Sequence, residues 1–251
     1  MTKKNKKWLF YSAVAVFLLL SGIVILYAQG YKYSFSENKF LRTGAISLKV
    51  NRDAKIFLND ELQGNTSFFN SAYSIDRLLP EDYRLAVQED GYSTWQKTAL
   101  VEEGFVVDFP NILILPEEGA EEQKLFEEVS LLFKEFESPK ISSKSMEQIS
   151  AEVIKNAKGF QLSENENKLA WWTSNELWVL WLTDQNYQPF NKKGDKELVT
   201  RFSTTIQNAI WFRGEDHLVL ELERFDSKNR PYSIYQVIEI DKRGGVNIIE
   251  L

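Results

Sequence analysis

Between positions 8 and 31 the chain carries no charged residue, and positions 13–26 are almost continuously apolar. A helix needs roughly 20 such residues to cross a hydrocarbon layer of about 30 Å. Inside that layer backbone amides have no water to bond, so helix is the form the run should take. Trp8 and Tyr11 at one end, with Tyr27 and Tyr31 at the other, suit aromatic anchoring at the two interfaces. Phe17, Leu20 and Ile25 belong to the lipid-facing stretch between them.

Lys3, Lys4, Lys6 and Lys7 precede the run, and every acidic residue follows it. Basic residues stay on the cytoplasmic side, so the expected arrangement is a single-pass cell-membrane protein with its N-terminus inside and its C-terminal domains extracytoplasmic. A cleaved signal peptide is the competing reading. The apolar run exceeds the usual length for one, and the best cleavage position, after Ala28, has Leu26 where a small residue is wanted. A buried helix of a soluble protein is the third.

The net charge is −6, and setting the four N-terminal lysines aside leaves −10 for the remainder. A domain so acidic repels phosphates, which argues against a nucleic-acid partner and otherwise serves solubility. The absence of cysteine removes disulfides and thiolate metal sites. His217 is the one histidine.

The sequence divides into a basic tail (1–7), the anchor (8–31), a polar linker (32–43), a strand-rich segment (44–115), an acidic helix with a linker (116–145) and a repeated segment (146–251). Residues 45–50 alternate with the strand period, 56–58 follow, and Asn59-Asp60 is a turn pair. Further strands are expected at 83–87, 98–101 and 105–115, punctuated by Pro80 and Gly91. This spacing suggests a small antiparallel sandwich. Leu125, Phe126, Val129, Leu132, Phe133 and Phe136 form an apolar stripe on a helix over 117–136, suited to core packing or to a partner's groove. Ser138-Pro139 should end it, and a Ser/Lys-rich linker runs to Ser145.

An internal repeat occupies the last third. Residues 160–171 and 210–220 each read strand, acidic turn, strand, at an offset of about 50 residues. Third strands are expected at 177–182 and 233–240, and fourth strands at 197–203 and 246–251. Four strands per unit is the pattern of a propeller blade, and two blades do not close a ring. The expected fold is therefore mainly β: a transmembrane helix, a small sandwich, an amphipathic helix and two blade-like sheets of an incomplete propeller. Further copies or a partner could complete it.

Residues 44–115 resemble the PEGA domain, a β-sandwich module of prokaryotic surface proteins. The pattern is carried by Gly44, Ala54, Gly64, Thr66, Pro80, Tyr83, Gly91, Tyr92 and Trp95. Gly91 would supply a turn with free backbone angles, while Tyr92 and Trp95 would cap the core. The family's naming signature reads Asn51-Arg52-Asp53-Ala54 here, Ser67 stands where proline follows threonine, and Glu81 replaces a glycine after Pro80. The repeats resemble TolB-type blades. These resemblances imply surface display and binding of protein or cell-wall material, without enzymatic activity.

Nucleophile elbows, Walker loops, dinucleotide-binding glycines and zinc helices are absent from the sequence. His217, in Gly214-Glu-Asp-His-Leu, is expected in a solvated turn. A glycosidase pair such as Glu221 with Asp241 is one carboxylate pair among dozens. Glu164-Asn-Glu166 and Glu215-Asp216 lack the alternate ligand spacing of a calcium loop, so neither metal nor cofactor is expected. Asn65-Thr-Ser67 fits a glycosylation pattern, which in a prokaryote-like protein is a chance match. Trp171, Trp172, Trp178 and Trp181 are a candidate binding surface. Strand alternation sends Trp171 and Trp172 to opposite faces, so stacked sheets would bury both, and otherwise one is free to stack on a ligand. The functional expectation is a non-catalytic, membrane-anchored binding or structural protein of the cell envelope. The alternatives are a component of an envelope sensory or assembly complex, and a cell-wall glycosidase.

Overall fold

The computed structural model describes residues 3–67, 71–134 and 157–251. Among the described residues the fold is mainly β, with two helices and several small antiparallel sheets. The chain divides into two compact units. Unit 1 takes residues 1–47, 74–83 and 100–107, and unit 2 the remainder, so the division passes through strands.

Unit 1 begins with α1 (Lys3–Ala28). Its segment Lys6–Ala28 is long and apolar enough to cross a membrane, and none of that apolar stretch is buried in the protein. Where a polar linker is expected, the chain forms a hairpin of β1 (Tyr31–Ser34) and β2 (Lys39–Arg42). Each strand has four residues, too few for the strand period to stand out in the sequence. Asn38, at a φ of 52°, helps turn the chain between them.

Strand β3 (Gly44–Val50) alternates as expected, with Ile46, Leu48 and Val50 buried. It is central in a three-stranded sheet ordered β6 (Ala72–Leu78), β3, β9 (Val106–Ile112). A four-stranded sheet runs β5 (Glu61–Asn65), β4 (Lys55–Leu58), β7 (Asp82–Gln88), β8 (Trp95–Leu100). Asn59 and Asp60 turn β4 into β5 at positive φ, the geometry a two-residue hairpin loop needs. Strand β5 escapes sequence reading because its Glu-Leu-Gln-Gly-Asn has no alternation. β6 escapes because it buries just Ile75 and Leu78.

The repeated segment forms two antiparallel four-stranded sheets in simple sequence order. The first holds β10 (Gly159–Leu162), β11 (Lys168–Trp172), β12 (Glu176–Trp181) and β13 (Lys196–Arg201). The second holds β14 (Thr205–Trp211), β15 (His217–Phe225), β16 (Pro231–Glu239) and β17 (Ile248–Glu250). They share one core, in which Trp172, Leu177, Val179 and Trp181 of the first meet Ile206, Leu218, Leu220 and Ile238 of the second. Each sheet buries its other face as well, which is why these strands read as continuous apolar runs instead of alternating ones.

The second sheet's other face is covered by α2 (Gly119–Lys134), which buries Leu125 and Val129 against Ile210, Val219 and Val237. Phe126 and Phe133 flank the Tyr235 ring at 5.5 and 5.2 Å. Phe136, the Ser138-Pro139 stop, the linker to Ser145 and the first residues of the repeated segment lie outside the described residues.

Candidate functional site

A dense group of titratable side chains lies inside unit 2, where β8 meets the end of β16 and the β16–β17 turn. Alternation along β8 sends Trp95, Lys97 and Ala99 inward, so a lysine enters the core in the register of two apolar residues. Its Nζ lies 3.2 Å from Glu239 Oε2 and donates to the backbone oxygens of Asp241 and Gly245, the latter at 2.6 Å. The same Glu239 oxygen accepts from Trp95 Nε1 at 3.0 Å and Asn247 Nδ2 at 2.7 Å. Burial pushes the Glu239 carboxyl above the usual range, with Asp241 adding to the rise and Lys97 opposing it.

A second buried charge, Lys168 at the start of β11, reaches Asp216 Oδ1 at 2.7 Å. Tyr187 donates its hydroxyl to the same oxygen at 2.7 Å, and Asn111 Nδ2 donates to Oδ2. Burial works against charge on Asp216, yet Lys168 and these donors outweigh it and hold the carboxyl below its usual range. Burial raises the Tyr187 phenol well above its ordinary value, and neighbouring Asp216 adds to that. His217, expected in a solvated turn, is instead the first residue of β15 and just 5% exposed. The turn ends one residue earlier, and that single step puts the imidazole inside. Burial depresses its pKa to about 4. Asp216 opposes the fall, while Lys97 and Lys168 add to it.

Arg243 completes the cluster. It grips Asp241 with Nε and Nη2 at 3.0 and 2.7 Å, donates to Asp108 O and Gln188 Oε1, and lies 4.4 Å over the Phe109 ring. The cavity among Phe109, Asn111, Trp181, Tyr187, Asp216 and Glu239 has a volume of about 20 Å³. That holds about one water molecule. These charges bind one another, so the arrangement is chemically a clasp between strands. Among the described residues no group of three or more His, Asp or Glu could hold a metal ion. Glu215 accepts from Asn165 and Asn167, and Glu221 from Asn208 and Ser233.

A roomier groove of about 580 Å³ opens beside this clasp, lined by Phe57, Arg84, Gln88, Gln96, Thr98 and Asn247. Its walls come from both the β5-β4-β7-β8 sheet and the β16–β17 turn. Gly244 makes that turn possible: at a φ of +64° its Cβ position would lie 2.2 Å from the Thr98 carbonyl oxygen.

The expected site residues fall into three groups. On α1, Trp8, Tyr11, Phe17, Leu20, Ile25 and Tyr27 are all exposed. Of the residues carrying the PEGA resemblance, Ala54, Thr66, Tyr83 and Trp95 are buried. Thr66 Oγ1 accepts from Ala54 N and donates to Arg52 O, Gly91 turns the chain at a φ of +80°, and Pro80 is half-buried just before β7. Gly44 and Gly64 have no room for a Cβ, against Val101 and the Tyr73 ring respectively. Tyr92 carries the Arg52 guanidinium 3.4 Å over its ring and bonds Glu121 of α2. Among the four tryptophans, Trp171, Trp172 and Trp181 are buried, and Trp178 is half-buried, stacked on Trp171 at 5.6 Å. They do not make an exposed stacking surface, because both faces of β11 are covered. Sequence reading missed Lys97, Lys168 and Glu239 and weighed Asp216 only as a calcium ligand; β8 starts at Trp95, three residues before the strand expected at 98–101, and that puts Lys97 in an inward register. No protein-family model matches the chain, and no curated protein matches its sequence.

Proposed function

We propose that the chain is a non-catalytic, membrane-anchored extracytoplasmic protein of the cell envelope that binds a protein or cell-wall ligand. On this reading residues 44–115 are a PEGA-like sandwich, and the two repeat sheets are propeller-type blades of the TolB kind. The observation that carries it is the helix Lys6–Ala28, whose apolar side chains face outward with no protein covering them. Such a surface is stable in lipid and unstable in water. The lysines before it support an outward C-terminal part. Mutual pairing of the buried charges, around a cavity the size of one water, supports binding over catalysis, and the 580 Å³ groove is where a ligand would fit.

Fractionation of cells expressing the full chain tests this reading. Retention in membranes until detergent is added, with Lys193→Cys labelled by an impermeant thiol reagent in intact cells, is the expected result. The chain has no cysteine of its own to confuse the label. Recovery in the soluble fraction, or labelling only after lysis, sinks it.

A second reading, a component of a larger envelope assembly, is favoured by the edge of the second sheet. Among the described residues β16 is the strand neighbour of β17, whose Ile248 is exposed, leaving an outer edge open to another strand. Mass measured against concentration in detergent distinguishes the two. A strict monomer removes self-assembly, and a membrane pull-down tests for a different partner.

A further inference from the structure

The aromatic face of the β1–β2 hairpin leaves Phe40 exposed and Tyr31 and Tyr33 half-buried. In its register Tyr31 pairs with Arg42 and Tyr33 with Phe40, so these four side chains share one face. The opposite face carries Ser34 and Leu41, both buried, with Lys32 and Lys39 exposed beside them. Phe35, at the tip, is 85% exposed and meets the Tyr33 ring edge-on at 5.1 Å, while Phe40 meets it from the other side at 5.3 Å. A hairpin facing water would bury phenylalanine and expose serine, and this one does the reverse.

The hairpin is also tied to the end of the apolar helix. Two residues separate Ala28 from Tyr31, and both Thr43 N and Thr43 Oγ1 donate to Gly30 O at 2.8 Å. Both strands therefore root at the helix exit, and four-residue strands extend only about 13 Å from it. Arg42 shares the face of the rings, while Lys32 and Lys39 lie on the other face, with Lys39 paired to Glu37 at 2.6 Å. Rings with an apolar body beside basic groups are the composition favoured at the headgroup layer.

We propose that the β1–β2 hairpin lies flat on the outer surface of the bilayer that α1 crosses, with Phe35 and Phe40 seated at the headgroup–acyl boundary as a second anchor. It rests on the membrane reading of α1. The occupant is lipid, because the hairpin begins two residues after the uncovered apolar helix ends and is tied to that end by Thr43.

Single-cysteine versions of the full chain, Leu18→Cys, Phe35→Cys, Phe40→Cys and Lys193→Cys, each nitroxide-labelled, are reconstituted in phosphatidylcholine vesicles with and without phosphatidylglycerol. Collision with oxygen is compared with collision with a water-soluble nickel chelate. The expected result is oxygen dominant at 18, nickel dominant at 193, and oxygen exceeding nickel at 35 and 40. Labels at 35 and 40 as open to nickel as 193, with 18 still in lipid, overturn the hairpin proposal alone. A label at 18 open to nickel overturns the anchor itself. Dependence on phosphatidylglycerol would assign the hold to the basic groups and count against ring insertion.

Discussion

The ammonium of Lys97, its side chain wholly inaccessible, lies 3.2 Å from the carboxylate of Glu239, itself 6% exposed. Charges leave water at a large cost, so such a pair survives only when each member holds the other and the remaining donors and acceptors are filled. Here Trp95, Asn247 and two backbone carbonyls fill them. Lys97→Met should strand the carboxylate and destabilise unit 2 by about 3–5 kcal/mol. Lys97→Met with Glu239→Gln should recover part of that loss, since the amide oxygen can still accept from Trp95 and Asn247. Urea unfolding in detergent, followed by tryptophan fluorescence, reads both. A loss below about 1 kcal/mol in the single variant would mean water reaches the pair.

Two glycines separate backbone strain from steric clash. Gly91 and Gly244 both have positive φ, but a Cβ on Gly91 meets nothing within 4 Å, while one on Gly244 meets Thr98 backbone atoms at 2.2 and 2.3 Å. Gly91→Ala should therefore cost only the left-handed strain, about 1–2 kcal/mol. Gly244→Ala should cost more, because backbone cannot swing aside, and it should reshape the groove beside Lys97. Equal shifts in the urea midpoint would contradict the close approach at Thr98.

Trp172 is the central aromatic of the shared core, 2% exposed, with Nε1 bonded to Gln207 O at 3.3 Å. Trp172→Ala should cost about 3–5 kcal/mol through the cavity it leaves. Trp178→Ala should cost less, since that ring is half-buried and loses mainly its stack on Trp171. Thermal unfolding of the two variants ranks them. Unchanged stability in Trp172→Ala would restore this residue to the list of ligand-binding candidates.

The repeat strands were legible because long apolar runs with acidic turns leave few alternatives, and Asn59-Asp60 marked its hairpin by turn chemistry alone. The clasp was not. The strand expected at 98–101 begins after Trp95 and Lys97, so no alternation reaches them, and the partner Glu239 comes from a distant strand that no local pattern connects to Lys97. His217 was misplaced by one residue of turn length, enough to exchange solvent for core. The β1–β2 hairpin was read as a linker because four-residue strands carry too little periodicity. Local rules reveal elements. They do not reveal which buried charges will meet.

His217 makes a pH-dependent prediction with a definite sign. Its imidazole is faced by Asp216, Lys97 and Lys168, and burial holds its pKa near 4 against an ordinary 6.5. Between those values the unfolded chain takes up a proton that the folded chain refuses. Stability is therefore complete above pH 6.5 and falls as pH drops toward 4, by at most about 3 kcal/mol for this one group. Asp216, whose pKa is lowered by folding, adds a loss of the same sign at lower pH. Glu239, whose pKa is raised, acts in the opposite direction: it favours the folded state below its ordinary pKa, and that contribution fades as pH rises. Between pH 6.5 and 4 His217 and Glu239 therefore act against each other, and the acid-side loss within that window is the part His217 supplies. His217→Gln, which cannot take up the proton in either state, should flatten the dependence of the urea midpoint on pH in that window. It should also lower stability at neutral pH by a constant amount. Parallel pH profiles for the two proteins would show that the imidazole is solvated after all, and that β15 begins one residue later.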